Sequence, residues 1–205
     1  MMSGRALISI VAALGIGFSA TSEVVIHKRL ETYGVSARDF RSLEKRIISA
    51  KTKPFPQRYA GLTTTLLTWE ADFEETPEGC RVVDWTVTVD TVIQLPDWVG
   101  VDKASEADQA RWDLRRRTLE SHEAFHHEMS VEAAYLLDEE IGLIGPAATC
   151  DALSSSVSKL YSAVAEILDT DHQFYDALSD HGRKQDRYFS YLKQQRAAAQ
   201  ARYQP

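Results

Sequence analysis

Basic residues are in deficit. The chain has 23 Lys and Arg against 30 Asp and Glu, a formal net charge of −7. A surface of that sign repels phosphate backbones and anionic lipid, and no basic stripe interrupts it, so nucleic acid is excluded as an expected partner. Proline and glycine are scarce, at 6 and 10 in 205 residues, while 44% of the chain is hydrophobic and 26% charged. That balance excludes collagen-like, low-complexity and disordered classes and leaves one globular domain with a proper core. No apolar run reaches the ~20 residues needed to cross a bilayer. There are only two cysteines, with no C-x-x-C pair, so zinc-ribbon and dithiol redox chemistry find no support. Internal repeats are absent too.

The apolar run that does exist follows Arg5 and extends from Ala6 to Phe18, ahead of the small residues Ser19, Ala20 and Ser22. A basic residue, a short apolar stretch and small residues make a secretory signal peptide, expected over residues 1–22 with Ala20 three positions before the cut. The mature chain, 23–205, is then a single soluble domain in the periplasm or outside the cell, without stable membrane insertion. Export to an oxidising compartment favours a Cys80–Cys150 disulfide over two buried thiols.

Val24 to Tyr33 suits a strand, and Ser36 followed by Asp39 reads as a capping pair that opens a helix to about Ala50. Lys51 to Pro56 breaks it. Two extended segments follow, Leu62 to Phe73 and Arg81 to Leu95, joined through the turn residues from Glu75 to Gly79 as a hairpin. The second alternates, with Val83, Trp85, Val87, Val89, Ile93 and Leu95 on one face and Asp84, Thr86, Thr88, Asp90 and Gln94 on the other. After Pro96 the period becomes helical: Ser105 caps a helix to about Ile144, Gly145-Pro146 stops it, and helices are expected over about Ala147–Leu168 and Asp171–Gln195. The expected class is α+β, a small antiparallel sheet packed on a helical C-terminal half.

The long helix carries His122-Glu123-Ala124-Phe125-His126, an H-E-x-x-H motif. Imidazoles four residues apart project from one helix face onto one metal ion, and the carboxylate between them, turned by about 100°, meets a metal-bound water as general base. With six His in the chain, a chance match has a probability of about one in a hundred, so context must carry the rest. Steps of three and four place Trp112, Leu119, His122, His126, Met129, Ala133 and Leu136 on one stripe, which turns both histidines inward. The competing reading is a pair of hydrogen-bonded core histidines.

A catalytic zinc takes three protein ligands and leaves a fourth position to water. The same helix offers no third. Glu132 points about 240° away, Glu139 and Glu140 lie about 20 Å further on, and His127, about 100° off, is expected in solvent. The third ligand therefore comes from the C-terminal helices, where Asp171, His172, Asp176, Asp180 and His181 are available, and spacing alone does not choose among them.

Several segments together resemble a family of exported bacterial proteins, domain of unknown function 922 (DUF922), described as secreted zinc-dependent proteases. They are the Leu95-Pro96-Asp97-Trp98 exit from the second extended segment, the histidine motif, Cys150, and Tyr175-Asp176-Ala177-Leu178-Ser179-Asp180-His181-Gly182. The last is similar to the family's Y-D-x-x-T-x-H-G pattern. The resemblance covers about Val24 to Tyr188. Departures are Ala124-Phe125, where Glu-Gly is commoner, and Asp186, where a small residue is usual. The resemblance implies His181 as third ligand and a zincin-like protease activity.

The expected function is an exported zinc-dependent metallopeptidase with Zn²⁺ as cofactor and a peptide or protein substrate, amide hydrolysis in cell-wall peptides being a variant. Tyr175 is the candidate donor to the oxyanion, or else a packed core tyrosine. Asp176 either accepts a hydrogen bond from a ligand imidazole or caps its helix. The alternative is a non-catalytic module, held together by zinc or the disulfide, whose sheet edges recruit a partner. Glu123 discriminates between the two, because a structural site needs four ligands and no base. Oligomeric state is not legible.

Overall fold

The computed structural model describes residues 20–49 and 60–202. The expected targeting stretch from Arg5 to Phe18 and the break from Lys51 to Pro56 lie outside them. Strand β1 (Thr21–Ser36) leads to helix α1 (Phe40–Ser49), followed by β2 (Leu62–Thr76) and β3 (Gly79–Val99). A short 3₁₀ turn (Val101–Lys103) precedes α2 (Glu106–Gly142), α3 (Cys150–Ser179) and α4 (Gln185–Arg202). The class is α+β, as expected.

The sheet, however, is mixed rather than antiparallel. Its order is β1-β3-β2; β2 and β3 form the expected hairpin, whereas β1 runs parallel to β3 on the other side. A parallel neighbour needs a long crossover, here supplied by α1, the following connection and β2. Strand β3 also runs past its expected end at Leu95, through Pro96 to Val99. Its pairing with β2 begins at Gln94, so among the described residues only β1 lies beside it from Leu95 to Val99. A proline is tolerated where a strand has one open side, because its missing N–H breaks no ladder bond there.

From Trp85 onward the period-two face of β3 is the one buried: Trp85, Val87 and Val89 lie against α2 and α3 with Leu67, Ala134, Leu137, Ile141 and Val157, and Ile93 and Leu95 pack with Leu119. At the start of the strand Val82, not the expected Val83, packs on the core. Burying side chains of this size contributes about 1.5–3 kcal/mol each. Trp98 and Trp112 meet edge to face at 6.3 Å and close a second cluster with Val35, Leu43 and Ile47, which docks α1.

Three local expectations need correction. Asp39 is itself the cap of α1: its Oδ1 accepts from the Ser42 backbone N–H at 2.7 Å and Ser42 Oγ accepts from the Asp39 N–H at 3.3 Å, with no role for Ser36. The buried stripe of α2 moves over by one beyond Met129, to Ala134, Leu137 and Ile141, leaving Leu136 exposed. A straight helix at 3.6 residues per turn drifts relative to rows of three and four. Finally, no break occurs near Asp169; α3 is one 30-residue helix from its Thr149 cap to Ser179. It carries Cys150 at one end, bonded to Cys80 in the expected disulfide, and Asp176 at the other.

Candidate metal centre

The site lies where the middle of α2 meets the last turns of α3. Helix α2 is capped as expected, with Ser105 accepting from the Asp108 N–H, and it turns His122 (2% exposed) and His126 (9%) toward α3. There His122 Nε2 is 3.0 Å and His126 Nε2 3.1 Å from Asp176 Oδ1, and the two Nε2 atoms are 3.3 Å apart. Ligand atoms at roughly 2.0–2.1 Å from one zinc ion, at tetrahedral angles, stand about 3.3 Å from one another. The spacing and the donor set of two imidazoles and a carboxylate fit that ion, and these three residues form a group able to hold a metal.

The opposite nitrogens are fixed as well. His126 Nδ1 lies 2.8 Å from His172 Nδ1, and His172 Nε2 is 3.5 Å from Ser130 Oγ. Burial, with the neighbouring His126, pushes the His172 imidazole down to about 4. It is therefore neutral at pH 7, able to accept on Nδ1 while its proton sits on Nε2. His122 Nδ1 faces Ser179 Oγ at 3.5 Å, and that oxygen also accepts from the Gly182 N–H at 3.3 Å. With Nδ1 of each imidazole turned to these partners, both Nε2 atoms face Asp176, and the tautomer protonated on Nδ1 would offer Nε2 to a metal. Asp176 is half-buried, and loss of solvent favours its protonated form, but hydrogen bonds from His122 and His126 outweigh this and hold the carboxyl well below its usual range.

The turn after α3 explains the H-G pair. Asp180, His181 and Gly182 all have positive φ, at 52°, 50° and 81°. The chain doubles back, its His181 N–H bonding to Asp176 O at 3.1 Å and its Lys184 N–H to Ser179 O at 2.6 Å. His181 Nδ1 thereby stands 3.4 Å from Asp176 Oδ1, with half its side chain exposed. Gly182 passes under His122, where an added Cβ would lie 2.9 Å from the His122 Cβ. Only glycine accepts both that approach and that φ.

Glu123 is 4% exposed. Burial pushes its carboxyl up to about 7, against the pull of His126 and of the Thr63 hydroxyl. Thr63 Oγ1 is 2.9 Å from both Glu123 Oε2 and the Glu123 carbonyl oxygen. A Cβ at Gly61 would come within 2.5 Å of Oε1, so β2 begins hard against the carboxylate. Glu123, both histidines, Asp176, His172 and His181 face one cleft of about 670 Å³ between β2, α1 and α3.

Tyr175 is not on its wall. The ring is fully buried, stacked on His122 at 4.6 Å and 22°, and its hydroxyl has no hydrogen-bond partner among the described residues. His127, expected in solvent, is 9% exposed and bonds through Nδ1 to Thr91 Oγ1 at 3.0 Å. Sequence reasoning missed the contributions of Thr63, Ser179 and Ser130. It had a signal for His172, which lies four residues before Asp176, but that signal is visible only if the helix runs unbroken. Asp171 lies one residue before His172 and Asp180 holds Arg183 and Lys184; neither is part of the metal-holding group.

No helix among the described residues is long and apolar enough to cross a membrane. No curated protein and no solved structure matches the chain. Residues 30–182 match the model of a family described as bacterial protein of unknown function (DUF922), and the chain belongs to that family.

Proposed function

We propose that this protein is an exported zinc-dependent hydrolase acting on peptide or amide bonds, in its simplest form a metallopeptidase. The observation that carries the reading is the three-atom cluster of His122 Nε2, His126 Nε2 and Asp176 Oδ1, with a buried carboxyl whose affinity for protons lies near neutrality beside it. A structural metal would need a fourth ligand and no such neighbour. The Cys80–Cys150 bond supports export, since disulfides persist in oxidising compartments.

His122, His126 and Asp176 would hold the zinc, with His181 as the rival third ligand beside Asp176. When bound, zinc supplies Lewis acidity, which acidifies water and polarises a carbonyl. Glu123, steadied at Oε2 by Thr63, takes the proton of the attacking water and returns it to the leaving nitrogen. With Asp176 as third ligand, His181 is left to donate a hydrogen bond to the oxyanion, while Tyr175 supports His122 from behind.

The test is zinc content of the purified protein beside hydrolysis of a broad peptide library. One zinc per chain is expected, lost in His126→Ala. Glu123→Gln should keep the metal and lose at least about a hundredfold in rate. Unchanged hydrolysis in Glu123→Gln would assign the activity to another site, and a metal-free wild type would end the hydrolase reading.

A further inference from the structure

The cleft has a cation at one end that the chemistry above does not use. Arg115 lies on α2 seven residues before His122, which brings it round almost two full turns to the same side of the helix, about 10.5 Å along the axis. Leu119, between them, is buried on the same floor. Arg115 and Glu44 both line the cleft, and the guanidinium side chain keeps 19% of its surface. Its ion pair among the described residues is a single long contact, Nε to Glu44 Oε1 at 3.4 Å. A guanidinium presents five N–H donors in a rigid fork matched to a carboxylate, so one contact through Nε leaves most of that capacity open.

On the far side of the metal centre from Arg115 the wall is β2, an edge strand of the sheet, with Thr63 beside Glu123 and Thr65 beside Ser130. The Leu67 carbonyl oxygen accepts from the Tyr161 hydroxyl at 3.0 Å, so it points away from β3 and toward α3. Alternate residues of a strand direct their N–H and C=O groups the same way, so those of Thr63 and Thr65 also face outward, into the cleft. A chain lying along that edge is extended, and if it continues in the same form past the metal centre it covers the roughly 10.5 Å to Arg115 in about three residues.

We propose, resting on the hydrolase reading, that the ligand is an extended peptide segment bearing a carboxylate. That carboxylate, a free C-terminus or an acidic side chain, is seated on Arg115 about three residues from the bond held at the metal centre. Glu44 keeps the guanidinium oriented from its Nε side while the incoming carboxylate takes the other nitrogens. Apolar side chains flank the path at Ile48 and Leu66, both exposed beside it.

The experiment measures binding, so that it does not depend on turnover. Zinc-loaded Glu123→Gln protein is titrated calorimetrically with matched Ala/Leu pentapeptides, one set with a free C-terminal carboxylate and one amidated. Free acids are expected to bind about tenfold more tightly at low salt, as suits hydrogen bonds to a charged partner in a part-exposed cleft. Adding Arg115→Gln should erase the difference, with Arg115→Lys keeping part of it and Glu44→Gln, whose amide oxygen can still accept from Nε, keeping most of it. The Glu44 variant breaks the ion pair without removing the cation, so it separates recognition from the tie between α1 and α2. Equal binding of acid and amide, or a preference that survives Arg115→Gln, overturns the Arg115 assignment and leaves the hydrolase reading standing. If neither set binds while zinc is held, the peptide ligand falls together with this proposal.

Discussion

Replacing Glu123 by Gln in the metal-free protein should stabilise it at pH 8. The buried carboxyl is pushed from its ordinary 4.5 to about 7, chiefly by loss of solvent. The fold therefore binds this proton more tightly than the unfolded chain does. Stability from this group is complete below about pH 4.5, falls as pH rises to about 7, and is level above that. A difference of about 2.5 pH units at ~1.4 kcal/mol each comes to about 3 kcal/mol. Gln reproduces the neutral carboxyl, and its amide oxygen still accepts from Thr63, so the variant escapes the loss. Urea melts of both proteins with a chelator present, at pH 5 and pH 8, measure the difference directly. It should be about 3 kcal/mol in favour of Glu123→Gln at pH 8 and below about 1 kcal/mol at pH 5. Other titrating groups, Asp176 and His172 among them, occur in both proteins and drop out of the comparison. Equal stabilities at pH 8 would refute the reasoning, because the carboxylate would then be solvated or partnered in a way its surroundings do not show.

Asp176→Asn should lower zinc affinity more than about a hundredfold, beyond the loss that marks a group supporting a ligand, whereas His181→Ala should lower it less; competitive titration against a chromophoric chelator ranks the two, and the reverse order would make His181 the third ligand. Gly182→Ala should cost about 1–3 kcal/mol, because its Cβ meets His122 and its φ of +81° disfavours a side chain. Thermal melting gives the loss, and a zinc titration should show weaker binding as His122 shifts. Paired Cys80→Ser and Cys150→Ser changes remove a cross-link between residues 70 apart and should lower stability by about 4 kcal/mol on the chain-entropy account, read from denaturant midpoints. An unchanged midpoint would mean that the short bridge between Cys80 and Ala147, with bonds of 2.7 and 2.9 Å, already holds the hairpin to the start of α3.

Much of the molecule is written in local pattern. The alternation of β3 gave its buried face, Ser105 gave the start of α2, and the H-E-x-x-H spacing put His122 and His126 on one side of that helix, because these follow from periods and caps within a few residues. The pairing of Cys80 with Cys150 followed from there being no other cysteine. Tertiary structure decided the rest. Neighbouring strands in sequence suggested an antiparallel sheet, but the parallel partner of β3 is β1, chosen by a crossover that no local signal encodes. His127, solvated by helix geometry alone, is buried because the sheet lies over it and offers Thr91. Elimination along α2 showed that the third ligand must come from elsewhere, yet only the packing of α3 against α2 brought Asp176 Oδ1 within 3.1 Å of both imidazoles. A ligand set that joins residues fifty or more apart depends on where two helices cross, and that crossing is fixed by the summed burial of their whole faces, not by the residues that meet at the metal.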